Sequence, residues 1–288
     1  MKVMEVKDII ENFRYNNGEF QEDSILQARK NKEKVIQALL TELEEFVENI
    51  ENHLAEENYM LHFYAMYLLA EFKEKRAFPI IINLLNKDQD ILSALLGDMV
   101  TQGLDRILAS TFDGDIEKLY KIIVNETLDE FIRSAAFTSL VILQKNNIIE
   151  QKTIENKIED MLNNELKEDY SYVIVSIVNY IADNNIYDKK DLVQKLYMEH
   201  RVDEMAIGGY DSFIDNLYGT RNYFESKEMI KDTIAELSYW ACFNEKDENE
   251  IDYEKFIKEF IKINRVENEG NKKTKEIGRN ELCPCREW

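Results

Sequence analysis

Apolar residues recur through much of the chain at i, i+3, i+4, i+7, i+8 and i+11, the spacing that gives a helix one buried face. Leu61, Tyr64, Ala65, Leu68, Leu69 and Phe72 fill that template, as do Leu96, Met99, Val100, Gly103, Leu104 and Ile107. Ile132, Ala135, Ala136, Ser139, Leu140 and Leu143 repeat it, followed by Tyr170, Val173, Ile174, Ile177, Val178 and Ile181. These runs begin at 61, 96, 132 and 170, so their starts lie 35, 36 and 38 residues apart. Between them runs a second series: Phe78, Ile81 and Ile82; Ile116, Leu119 and Tyr120; Ile154 and Ile158; Leu192 and Leu196. Its members begin 38 residues apart each time, at 78, 116, 154 and 192. Two interlocked helical series predict an array of helix pairs. A pair of this length cannot bury its apolar face alone, so it must stack on its neighbours, giving a solenoid with a concave inner surface.

Turn chemistry falls where the periods break. Asp113-Gly114-Asp115 suits the end of one helix and the N-cap of the next, and Asn146-Asn147 and Asn184-Asn185 suit left-handed helix closures. Thr153 and Asp191 are the expected caps of the following helices. Gly208-Gly209 marks a break, after which Tyr210, Phe213, Ile214, Leu217 and Tyr218 resume the pattern. Tyr223-Phe224 before Ser226 predicts a loop and a new helix that closes at Trp240-Ala241-Cys242-Phe243, its aromatic residues forming core at the end of the array or a binding groove.

The stretch from Asp129 to Leu140, with Phe131-Ile132-Arg133 and the paired Ala135 and Ala136, resembles the first helix of a HEAT repeat. More broadly, Met60 to Cys242 is similar to a bacterial family known only as a domain of unknown function, whose members often end in a SEC-C motif. That resemblance implies an all-α, HEAT-like superhelix. The expected layout is a repeat domain over residues 1–263, clearest over 60–200, a linker over 264–277, and a partial SEC-C motif over 278–288.

Composition supports helix throughout: 9 Gly and 2 Pro in 288 residues leave few forced breaks. With 57 Asp plus Glu against 36 Lys plus Arg, the formal net charge is −21, which repels phosphate backbones and anionic lipid. Nucleic acid is therefore disfavoured as a partner and a basic protein or peptide favoured. Met1 to Phe13 interleaves charges with single apolar residues, unlike a secretory signal. The longest apolar stretch, Tyr172 to Ala182, falls short of the about 20 residues that span a bilayer. A cytoplasmic protein without membrane insertion is expected, and its three cysteines form no disulfide framework.

After an expected last helix over Asp252–Ile263 the chain turns polar, then ends in Gly278-Arg279-Asn280, Cys283-Pro284-Cys285 and Arg286-Glu287-Trp288. This resembles the opening of SEC-C, the zinc-binding element at the end of the SecA motor, but the glycine turn and second ligand pair of that motif are absent. Structural zinc wants four N or S ligands. Cys283 and Cys285 supply two, so a degenerate remnant, completion by another chain and truncation all remain open. No cofactor is expected, and zinc only where another chain completes the shell.

Candidate chemistry is sparse, with no phosphate loop, nucleophile elbow or paired metal-ligand histidines. His53-Leu54-Ala55-Glu56-Glu57 only faintly resembles an inverted zinc-protease helix, because the second histidine is replaced by glutamate, and His62 lies more than two turns further on. Both histidines read as core or solvated residues. Gly97 and Gly103 interrupt a strong helix at a cost of about 1 kcal/mol each relative to Ala, which predicts a bend or a close contact. Asp98 and Asp105, seven residues apart, would share a helix face with Arg106 beside them. With Asp113 they form the candidate binding patch for a basic partner. The same residues also read as caps and solvated side chains of a glycine-bent helix, which is the preferred reading. The leading functional expectation is a protein- or peptide-binding adaptor module. An enzyme with an acidic active site on the concave face and a structural subunit of a larger assembly are the alternatives.

Overall fold

The structure is a computed structural model that describes residues 4–167 and 170–243. Asp252–Ile263, the linker and the partial SEC-C motif with Cys283 and Cys285 lie outside the described residues. Within them the chain is all helical, and its only β-type pairing is an isolated antiparallel bridge between Tyr15 and Tyr59.

Both periodic series become helices. The first forms Leu61–Glu71, Leu104–Thr111, Glu130–Lys145 and Tyr172–Asp183; the second forms Ala77–Leu85, Ile116–Val124, Gln151–Asp160 and Lys190–Met198. Packing follows chain order. Helix Lys32–Glu48 packs on Leu61–Glu71, which packs on Leu104–Thr111, then Glu130–Lys145, then Tyr172–Asp183, then Tyr210–Tyr218. Arg133, only 1% exposed, ties Glu130–Lys145 to Ile116–Val124, its Nε donating to the carbonyl of Ile123 at 2.9 Å. Ala136 is fully buried beside it and leaves room for the neighbouring helices to close in.

Caps follow the sequence in part. Asp115 accepts from the Glu117 amide at 3.2 Å, and Asp129 from those of Phe131 and Ile132 at 2.8 and 3.3 Å. Asn147 and Asn185 adopt φ of 56° and 51°, the left-handed closures expected of them. Thr153 and Asp191 are corrections: both lie inside their helices, whose N-caps are Glu150 and Lys189. Tyr170 is another. It has φ 61° and precedes the helix that Ser171 caps, so it is exposed instead of opening the apolar face.

The Leu96–Ile107 run keeps its buried pattern but not its continuity, dividing into Gln89–Leu96, Met99–Gln102 and Leu104–Thr111 at the two glycines. Gly97 sits at φ 46°. Gly103 permits a close approach, since a Cβ there would lie 2.1 Å from the Tyr67 hydroxyl. Gly103→Ala is therefore expected to displace the buried Tyr67 ring and destabilise the fold by about 1–3 kcal/mol, read from urea unfolding. A shift of the midpoint toward higher urea would contradict that packing.

The predicted helix from Ser226 does not form. Residues 219–232 are non-helical, and only Thr233–Leu237 and the short 3-10 turn Ala241–Phe243 coil. The cause is tertiary: Phe224 and Ile230 are buried, and the backbone around them is taken up by side chains of distant helices. No helix among the described residues is long and apolar enough to cross a membrane.

Candidate functional site

Residues 222–243 run back across the first helical layer as a strap, fastened at intervals. Lys145 Nζ donates to the carbonyls of Phe224, Glu225 and Lys227 at 2.7, 3.0 and 3.0 Å. Lys227 pairs with Asp105 at 2.6 Å. Lys73 Nζ donates to the carbonyl of Ile230 at 2.7 Å, and the Ser110 hydroxyl accepts from the Ile230 amide at 2.9 Å. Arg106 grips Glu236 through both terminal nitrogens at 2.5 and 2.6 Å and donates from Nε to the Glu228 carbonyl at 2.8 Å. Arg29 bridges Glu71 and Asp232, and the Glu71 pairing holds its guanidinium above the usual range. A two-pronged guanidinium–carboxylate contact fixes direction as well as distance.

The end of the strap lines an open cavity of about 600 Å³. One wall carries His53, Glu56, Tyr59, His62 and Phe63, the second runs from Ala94 to Met99 with Gln102, and the third is Tyr239 to Cys242. Aromatic rings build its inner side. The His62 ring stacks on Phe46 and Tyr59, at 4.6 and 5.6 Å with interplanar angles of 4° and 1°, and touches Phe63 at 4.0 Å. Trp240 meets Phe63 and Tyr67 edge-on at 5.2 and 6.0 Å. Such stacking rests on the layer order, which sets Phe46 of one helix against His62 of the next.

Glu56 and Asp98 are the carboxylates of the wall, and no Lys or Arg is among the described residues lining it. Glu56 accepts from the Tyr15 hydroxyl at 2.7 Å and lies 3.2 Å from His53 Nδ1, whose Nε2 faces Glu45 at 3.3 Å. His62 is fully enclosed, and burial pushes its imidazole down to about 4. Burial also raises the Tyr59 phenol and the Cys242 thiol. No group of three or more His, Cys, Asp or Glu side chains among the described residues could hold a metal ion.

The four residues expected to form one acidic patch are not brought together. Asp98 is exposed at the cavity wall, beside the left-handed Gly97. Asp105 is buried at 3% exposure and paired with Lys227, because the break at Gly103 ends the helix register that would have aligned it with Asp98. Arg106 is consumed by Glu236. Asp113 pairs with Lys118 at 2.5 Å and holds the Asp115 amide at 2.9 Å, which makes it a turn residue. Asp105 and Arg106 thus hold the strap. Periodicity could not have found the cavity, since only the strap brings Trp240 against residues near position 60.

Two uncharacterised proteins, from Chlamydia trachomatis and Chlamydia muridarum, are each 30% identical over 246 residues; the match covers 82% of this chain in both cases, and 96% and 97% of the relatives. No solved structure matches. The family described as protein of unknown function, DUF1186, matches residues 4–244, which span all of the described residues. The chain belongs to the DUF1186 family.

Proposed function

We propose that the chain is a binding module whose cavity accepts a basic side chain of a protein or peptide partner. The observation that carries this reading is the wall itself, with aromatic rings, two carboxylates and no Lys or Arg among the described residues. A cation over an aromatic face gains about 0.5–2 kcal/mol, more when desolvated. The net charge of −21 would speed the encounter with a basic partner and disfavour nucleic acid. Of the candidate binding residues, Asp98 lines this cavity and would receive such a group.

The chain-ordered packing supports reading the array as a HEAT-like superhelix, here with its own strap on one face. The tail would act as a tether, with zinc at Cys283 and Cys285 only where a second chain supplies the remaining ligands. A cytoplasmic setting suits the same reading. An enzyme using Asp98 and Asp105 together is less well supported, because Gly103 separates them and Lys227 neutralises the second.

Calorimetric titration of the full chain with a lysine-centred peptide and its glutamate-centred counterpart tests the proposal. The lysine peptide is expected to bind and the glutamate peptide not to. Asp98→Asn should weaken binding about two- to fivefold, the scale of one exposed charge. Equal binding of both peptides, or of neither, would sink it.

A further inference from the structure

We infer that a second, smaller cavity, beside the strap, binds a small uncharged polyol. It is about 150 Å³ and lies where the strap meets three layers of the array. Phe131, Ser134 and Thr138 come from one face of Glu130–Lys145, Tyr172 and Ser176 from the next helix, and Asp105 from the layer before. Tyr223 and Lys227 of the strap complete the wall. A space of that size suits a ligand of about six heavy atoms, since an apolar cavity of about 150 Å³ takes up benzene.

The charges of the wall neutralise each other. Asp105 Oδ2 accepts from Lys227 Nζ at 2.6 Å, and Asp105 Oδ1 from the Arg106 amide at 2.8 Å. An anion entering the cavity would meet Asp105, and a cation Lys227, as a like charge. The remaining polar groups are hydroxyls. Those of Ser134 and Ser176 lie 2.7 Å apart, so one donates to the other and the second keeps its own hydrogen to give. Thr138, 6% exposed, also lines the cavity, and its hydroxyl meets no hydrogen-bonding group of the described residues. Groups that both donate and accept are matched by ligand groups that do the same, which is what a hydroxyl does. Phe131 and Tyr172, their rings 5.1 Å apart, add apolar wall for the carbon chain that joins such hydroxyls.

The test follows 1H–15N spectra of the full chain titrated with glycerol and with n-propanol, which keeps the carbon chain and lacks two of the hydroxyls. Glycerol is expected to give saturable shifts at the amides of Thr138, Ser176 and Tyr223, and n-propanol to bind about tenfold more weakly, the scale of its unmade hydrogen bonds. Propionate and propylammonium, of similar size, are expected to bind more weakly than glycerol. Thr138→Val, which keeps the shape and removes the hydroxyl, should weaken glycerol about three- to tenfold, and Thr138→Ser should restore most of the loss. Should the valine variant not fold, the ratio of glycerol to n-propanol in the native chain decides. No saturable shift with glycerol, equal or tighter binding of n-propanol or either ion, or undiminished affinity in a folded Thr138→Val would overturn the inference. The basic-partner reading is decided separately, since among the described residues none lines both cavities.

Discussion

Arg106→Met is expected to lower the stability of the fold by about 2–3 kcal/mol and to abolish peptide binding. The guanidinium makes three contacts to the strap, two to Glu236 and one to the Glu228 carbonyl. The Glu236 side chain is only 14% exposed, so removing its partner leaves a carboxylate poorly reached by water. Because Glu236 precedes Trp240 by little more than one turn, the loss should also loosen the third wall of the cavity. Exchanging the charges, Arg106→Glu with Glu236→Arg, should restore part of the stability, since the pair is remade although the Glu228 carbonyl is not. Urea unfolding of the native chain, Arg106→Glu, Glu236→Arg and the double exchange forms a double-mutant cycle. A coupling near zero would mean that the strap is not held there.

Acid should unfold the protein through His62. An unfolded imidazole takes its proton near 6.5, whereas the buried ring does so near 4. Between those values the unfolded chain binds more protons, so stability falls as pH drops through that window and this residue contributes no pH dependence above it. The complete loss amounts to roughly 3 kcal/mol. His62→Phe should flatten the profile between pH 6.5 and 4 relative to the native chain. An unchanged slope would show that the ring is not the buried neutral base described above.

The helical layers were legible because one-sided burial leaves a mark every three or four residues, and the pattern at Leu61–Phe72 or Ile132–Leu143 has no competing interpretation. The left-handed asparagines were legible for a similar reason, since few other residues tolerate that backbone. What could not be read was everything carried by long-range contact. Asp98 and Asp105 have helical spacing, yet Gly103 yields to the Tyr67 hydroxyl and breaks the register between them. Ser226 to Trp240 has residues able to form a helix, yet Lys145, Lys73 and Arg106 hold its backbone in another shape. His62 carries no local signal of its position in a cavity, because two of the cavity walls come from the segments 94–102 and 239–242.

The central claim is that a basic side chain enters the cavity between His62, Asp98 and Trp240. The most direct measurement is a 1H–15N spectrum of the full chain titrated with the lysine-centred peptide. The account predicts shifts confined to the amides of Gly97 and Asp98, the Trp240 indole and their cavity neighbours, saturating at the affinity that calorimetry gives. Shifts that spare these groups, or that a glutamate-centred peptide reproduces, would contradict it.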